Sequence, residues 1–150
     1  MPREFSATRD DVDAIAAWTV IRAARELARR LGDALEPLAL TPVEFGVLVQ
    51  LAAGERLTQA DLARAVGVRP QSMTTLVAGL GERGLLDRGD ARGRGRRSRV
   101  TLTPEGRDLL SRAYPVVRAS NAWFGDDAEH LTAILRPIVH DASEPADTVP

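Results

Sequence analysis

The sequence contains no cysteine. That absence excludes a disulfide framework, a thiolate metal site and a thiol-based redox switch together. Lysine is missing too, so all 20 basic side chains are arginines. Aromatic residues make up 4% of the chain, too few for the base-stacking platform that single-strand RNA and DNA readers use. No apolar run approaches the roughly 18 residues of a membrane span. The opening stretch MPREFSATRDD is charged and has no apolar centre of the kind a signal peptide needs. The two histidines, His130 and His140, both sit in the final acidic stretch, far in sequence from any plausible nucleophile. No G-x-S-x-G, phosphate loop or metal-spaced cluster occurs. These absences lead us to expect a soluble cytoplasmic protein that is not an enzyme, carries no cofactor or metal and has no membrane partner.

With 150 residues, 44% of them apolar, one domain with a real core is the natural expectation. The formal net charge is −1, but it is unevenly distributed. Residues 56–112 hold twelve arginines against six acids, net +6, and the remainder holds eight arginines against fifteen acids, net −7. A basic middle between acidic flanks suits a protein with one anion-binding face.

Periodicity and capping signals outline mainly helical structure. Residues 1–7 are expected to fray. A helix over 8–34 begins at Thr8, with Asp10 and Asp11 in its first turn, and carries an apolar stripe through Val20, Ala24, Leu27, Leu31 and Ala34. Thr41-Pro42-Val43-Glu44 opens a second helix that ends at Gly54. Thr58-Gln59-Ala60-Asp61 opens a third, which Gly67 breaks. Pro70 starts a fourth, with Met73, Leu76, Val77 and Leu80 on one edge and Gly84 as its stop. Two short strand-like runs follow at 85–88 and 98–102. Thr103-Pro104-Glu105 caps a fifth helix running to about Phe124, which Pro115 should bend or interrupt. A sixth helix starts at 126–129, where Pro137 predicts a kink or an early end, and residues 142–150 read as a disordered tail.

The third and fourth helices, joined by the short turn at 66–69, fit a helix-turn-helix. In that motif the N-terminal residues of the second helix lie over base edges in the major groove. Here they are Arg69, Gln71, Ser72, Thr74 and Thr75. Glutamine can bond adenine in bidentate fashion, and serine or threonine can serve either base. Directly after the helix comes the hairpin, whose residues 88–99 hold six arginines (Arg88, Arg92, Arg94, Arg96, Arg97 and Arg99) against one acid, Asp90. Crowded guanidinium groups need counter-charge, and phosphates or a narrow minor groove supply it. The glycines among them let the backbone pass close to a sugar-phosphate wall. An acidic protein partner is the alternative occupant of this arginine-rich hairpin.

The layout, with LTPVEFGVL, TQADLARAVGVRPQSMTTLVAGLGERGLL and VTLTPEG, resembles the MarR family of winged-helix transcriptional regulators over about residues 10–140. The resemblance implies a mainly α fold with a small β-hairpin wing. Residues 41–103 would form the winged helix-turn-helix, and 8–34 with 104–141 a helical dimerisation region. It further implies a homodimer that binds a pseudopalindromic double-stranded DNA operator, usually as a repressor, and releases it when a small aromatic or phenolic effector binds. By that analogy the effector pocket would involve Trp18, Arg22, Phe45, Tyr114 and Arg118. The chain departs from the family pattern in two places. The arginine often found near the centre of the recognition helix is Thr75 here. The wing motif Asp-x-Arg has its arginine at Arg96 but holds Arg94 at the aspartate position, so the bracing pair is lost unless Asp90 serves from farther out.

Overall fold

Four threonines start four of the helices, each by the same local chemistry. In the computed structural model, which describes residues 4–54, 57–89 and 99–143, Thr8, Thr41, Thr58 and Thr103 each accept a hydrogen bond from the amide three residues on. At the first three, Asp11, Glu44 and Asp61 reach back to the threonine amide and complete a capping box. The helices are α1 (Arg9–Asp13), α2 (Ala16–Leu35), α3 (Pro42–Gly54), α4 (Gln59–Val66), α5 (Pro70–Glu82), α6 (Pro104–Ala119) and α7 (Ala128–Ser143). The strands are β1 (Leu57–Thr58), β2 (Leu86–Arg88) and β3 (Arg99–Leu102), antiparallel in the order β1-β3-β2. The fold is thus mainly helical with a small antiparallel sheet.

Several expectations need correction. The single helix over 8–34 is two, because Ala14 closes α1 and Ile15 is extended at φ −81° and ψ 100°. Asp13 spans the break: its carbonyl accepts from the Thr19 hydroxyl, and its carboxylate pairs with Arg22 at 3.4 Å. The predicted pair of strands is a set of three, since Leu57 and Thr58 pair with Val100 and Arg99. Pro115 does not interrupt α6, which ends at Ala119 rather than near Phe124 and continues as a 3-10 stretch, Ser120–Asp127. Pro137 does not shorten α7, which runs on through Ala142 and Ser143 of the expected tail. Each proline deletes one backbone hydrogen bond. Both stand on exposed positions where water can serve the freed carbonyl.

The core is built from the middle of the chain, from Leu35 to Ala113. Leu48 and Leu51 of α3, Leu62 of α4, Met73, Val77 and Leu80 of α5 and Val100 of β3 are almost wholly buried. Leu109, Leu110 and Ala113 seal α6 onto this cluster, and Leu35 at the end of α2 closes one corner. Among the described residues α7 contributes no buried side chain. Among the described residues no single helix is long and apolar enough to cross a membrane.

Candidate nucleic-acid interface

The turn between α4 and α5 is built by Gly67. Its φ of 76° places it in the left-handed region, where a side chain is strained, and the Gly67 and Val68 amides both donate to the Ala63 carbonyl. The chain then turns through extended Arg69 (φ −69°, ψ 148°) into Pro70, whose fixed φ suits a first helical position. Met73, Val77 and Leu80 pull one face of α5 into the core. The opposite face presents Arg69, Gln71, Ser72, Thr74 and Thr75, all exposed. Arg69 gives α5 no side-chain cap, so the first amides of the helix look outward beside a guanidinium group. That is a favourable seat for a phosphate.

The five predicted residues of this face are therefore together, though they are not equally free. The Thr74 hydroxyl lies 3.1 Å from the Pro70 carbonyl and 3.3 Å from Oε1 of Gln59. Thr75 donates to the Gln71 carbonyl at 3.4 Å. Gln59, which the sequence reading did not single out, is thus brought beside the recognition face from the start of α4. Its position three residues before the buried Leu62–Ala63 pair was no signal. Only the crossing of α4 and α5 places it there.

Beside α5 stands the hairpin of β2 and β3, with Leu86 opposite Leu102 and Arg88 opposite Val100. The Gly89 amide donates to the Arg99 carbonyl at 3.1 Å, so pairing continues to the edge of the described residues. Arg88 is exposed, and its Nε would lie 3.9 Å from a Cβ built at Gly81, which places the guanidinium alongside α5. Arg99 is also exposed and faces Thr58 across the sheet. The tip, with Arg92, Arg94, Arg96, Arg97 and Asp90, lies outside the described residues. At the root of the hairpin, the Thr58 hydroxyl and amide hold the Asp61 carboxyl below its ordinary value, with smaller help from the charges of Arg64 and Arg99.

The five residues expected to form an effector pocket are scattered. Phe45 is buried in the core. Trp18 is partly exposed and carries Arg25 over its ring, 5.9 Å from the centroid. Arg22 is paired with Asp13 and lines a small cleft with Thr19 and Ala23. Tyr114 lines a different cleft of about 530 Å³ between α3 and α6, walled by Val49, Ala52, Ala53 and Leu110 with Arg107 and Ser111 at its polar side. Arg118 is exposed one turn further along α6. Arg107, which the sequence did not single out, stands at the edge of this cleft only because α3 and α6 cross there.

A buried-backed helix presented at the end of a glycine turn, with an antiparallel hairpin at its side, defines a winged helix-turn-helix. Residues 40–97 match the profile of the MarR family. The HTH-type transcriptional repressor Rv2887 of Mycobacterium tuberculosis is 38% identical over 110 residues, which span 73% of this chain and 79% of that protein. The crystal structure of the Mycobacterium tuberculosis Rv2887 complex with DNA is similar with a TM-score of 0.67 at 31% identity, covering 84% of this chain and 98% of that one. Its complex with salicylic acid gives 0.68 at 33% identity, with 84% and 97% covered. This chain belongs to the MarR family of winged-helix, DNA-binding transcriptional regulators.

Proposed function

We propose that two copies of this chain pair and bind a pseudopalindromic operator as a repressor. Residues 41–103 would read the DNA, and 8–34 with 104–141 would hold the dimer. The observation that carries the pairing is an apolar surface with nothing over it. On α2 and just before it, Ile15, Val20 and Ile21 are about half exposed, and on α7 Ile138 is 67% exposed. The core is already closed without them, so they have no function in a lone chain that water would not oppose. Pairing these faces would set two α5 helices about one DNA turn apart, near 34 Å.

In this reading Arg69, Gln71, Ser72 and Thr75 reach base edges and adjacent phosphates, with Thr74 bracing α5 against Gln59. Arg88, Arg99 and the tip arginines Arg92, Arg94, Arg96 and Arg97 run along the backbone or into the minor groove. The DNA complex of Rv2887 supports DNA as the partner. Its salicylic acid complex supports a small aromatic acid as effector. The cleft beside Tyr114 and Arg107 offers the matching chemistry, an apolar wall with one cation at its edge.

A mobility shift on the DNA upstream of the chain's own gene tests the reading. Binding is expected to weaken steeply with salt, in proportion to the number of phosphates neutralised. Arg96→Ala is expected to weaken binding on many sequences, whereas Gln71→Ala is expected to relax preference at one base pair. Equal loss at every base for both variants would mean that α5 is not the reading helix. Binding to an acidic protein but not to duplex DNA would replace this reading with a protein-contact role.

A further inference from the structure

We propose that Arg83 is a positioning residue that ties the exit of α5 to the corner between α2 and α3, and so fixes the spacing at which two recognition helices meet DNA. The inference rests on the dimeric DNA-binding reading above and identifies the joint that reading requires. Arg83 follows α5 directly, and its own amide closes the helix onto the Gly79 carbonyl. Its side chain then reaches back to the corner where α2 gives way to α3. Nη2 donates to the Ala39 carbonyl at 2.8 Å, across 44 residues of sequence, and Nη1 lies 3.6 Å from Oε2 of Glu44. The same Glu44 oxygen accepts from the Thr41 amide at 2.9 Å, so one carboxylate serves both the start of α3 and the end of α5.

The corner is held in a conformation that presents this acceptor. Ala39 has φ 51° and ψ 41°, the only non-glycine residue at positive φ among those described. A left-handed alanine is strained and persists only where its surroundings over-determine it. Its amide is satisfied by the Glu36 carbonyl, and its carbonyl by Arg83. Gly32 and Glu36, from the end of α2 and just beyond it, line the same cleft as Arg83. A change in the direction of α2 is therefore felt at the guanidinium group.

The other side of the same turn is gripped by α6. The Thr103 hydroxyl donates to the Gly84 carbonyl at 2.6 Å, and the Thr103 amide to the Leu85 carbonyl at 3.2 Å. Residues 83–85 are thus bonded on one side to the α2–α3 corner and on the other to the start of α6. Those contacts lie at the borders of the two segments assigned above to the dimer, with Ala39 just past 8–34 and Thr103 just before 104–141. Toward its N-terminal end, which would face DNA, α5 is braced by Thr74 against Gln59 of the neighbouring α4, inside the winged module. The recognition helix is anchored at its far end, where a small tilt of the dimer frame moves its tip the most.

Duplexes carrying the operator with its half-sites at native spacing, one base pair closer and one base pair farther test this. Each base pair shifts a half-site by about 3.4 Å and rotates it by about a tenth of a turn. The wild type is expected to lose about tenfold or more in affinity at either altered spacing, as each misdocked half-site loses contacts of a kcal/mol or more. Arg83→Met is expected to shrink that penalty to about threefold or less while keeping base preference within each half-site. Arg83→Lys, with one compact donor, is expected to fall between, and it carries the test should the Met variant fail to fold. A variant that loses affinity equally on all three duplexes has suffered only general damage, and the proposal is overturned. Hydrogen exchange on the DNA-free proteins separates this failure from that of the underlying reading. Arg83→Met should speed exchange at both 79–85 and 39–44, and unchanged exchange at 39–44 overturns the tether whatever DNA does. A wild type that binds no duplex overturns the spacing claim together with the DNA reading, while the exchange result still reports on the tether.

Discussion

Replacing Gly106 by alanine sets two known effects against each other. Gly106 is the third residue of α6, and its amide donates to the Thr103 side chain at 3.0 Å. In an open helix the change should stabilise by about 1 kcal/mol, since alanine is the better helix former. Here the added Cβ would overlap the Leu85 carbonyl oxygen and come within 2.9 Å of Cδ2 of Leu102. Backbone cannot swing aside as a side-chain tip can, so the turn at 84–85 must move away from α6. That motion stretches the Thr103 bonds to Gly84 and Leu85, each worth about 1 kcal/mol. Overpacking itself costs about 1–3 kcal/mol. Net of the helix gain, the loss is about 2–4 kcal/mol, or roughly 5–15 °C in Tm for a domain of this size. Thermal unfolding followed by far-UV circular dichroism at one fixed protomer concentration measures it, since the Tm of an oligomer depends on concentration. A Tm that stays level or rises would show that α6 does not seat on the 84–85 turn as described.

Three further outcomes follow from the same contacts. Thr58→Val removes the cap of α4 and should lower stability by about 1 kcal/mol, read from denaturant unfolding; an unchanged midpoint would show that the cap is replaced by water at no cost. Asp61 is held below its ordinary carboxylate pKa mainly by Thr58, so its contribution is present above the unfolded value and disappears as pH falls through the lower folded one. Stability of the wild type measured from neutral pH down past pH 4 should therefore fall more steeply than that of Asp61→Asn, and parallel curves would refute the assignment. Ile138→Glu places a charge in the exposed face of α7 and should convert the proposed dimer to a monomer in sedimentation at micromolar concentration, whereas an unaltered mass would move the interface elsewhere.

What the sequence revealed was the chemistry that closes within a few residues. The threonine caps needed only a donor and an acceptor three positions apart, and Gly67 needed only the steric freedom of a residue without Cβ. What it hid depends on partners far along the chain. Leu57 and Thr58 are strand only because β3 lies beside them, and two residues carry no alternation to read. The break at Ala14 has neither proline nor glycine to announce it, because Thr19 and Arg22 make it tolerable from the next helix. The recognition face was legible because a helix repeats every 3.6 residues, so one buried edge dictates the exposed one. The lining of the α3–α6 cleft was not, because Tyr114 and Arg107 meet α3 only through a helix crossing angle that sequence does not encode locally.

The electrostatics explain how a chain of net charge −1 can present a cationic face. Several arginines on and beside the helices are matched close by. Arg29 and Arg30 both bond Glu26, whose carboxyl falls to about 2 chiefly through those two guanidinium groups. Arg29 also reaches Asp33, Arg22 pairs with Asp13, Arg64 with Asp61, Arg83 with Glu44 and Arg112 with Asp108. Such exposed pairs add little to stability, but they cancel field locally, and screening confines what remains to within about 10 Å. Among the described residues no carboxylate pairs with Arg69 at the start of α5 or with Arg88 beside it. Six of the acids therefore sit beside other arginines, and a phosphate approaching α5 meets the positive helix end and those two guanidinium groups first. Net charge fails as a guide here because it averages over pairs that have already neutralised each other.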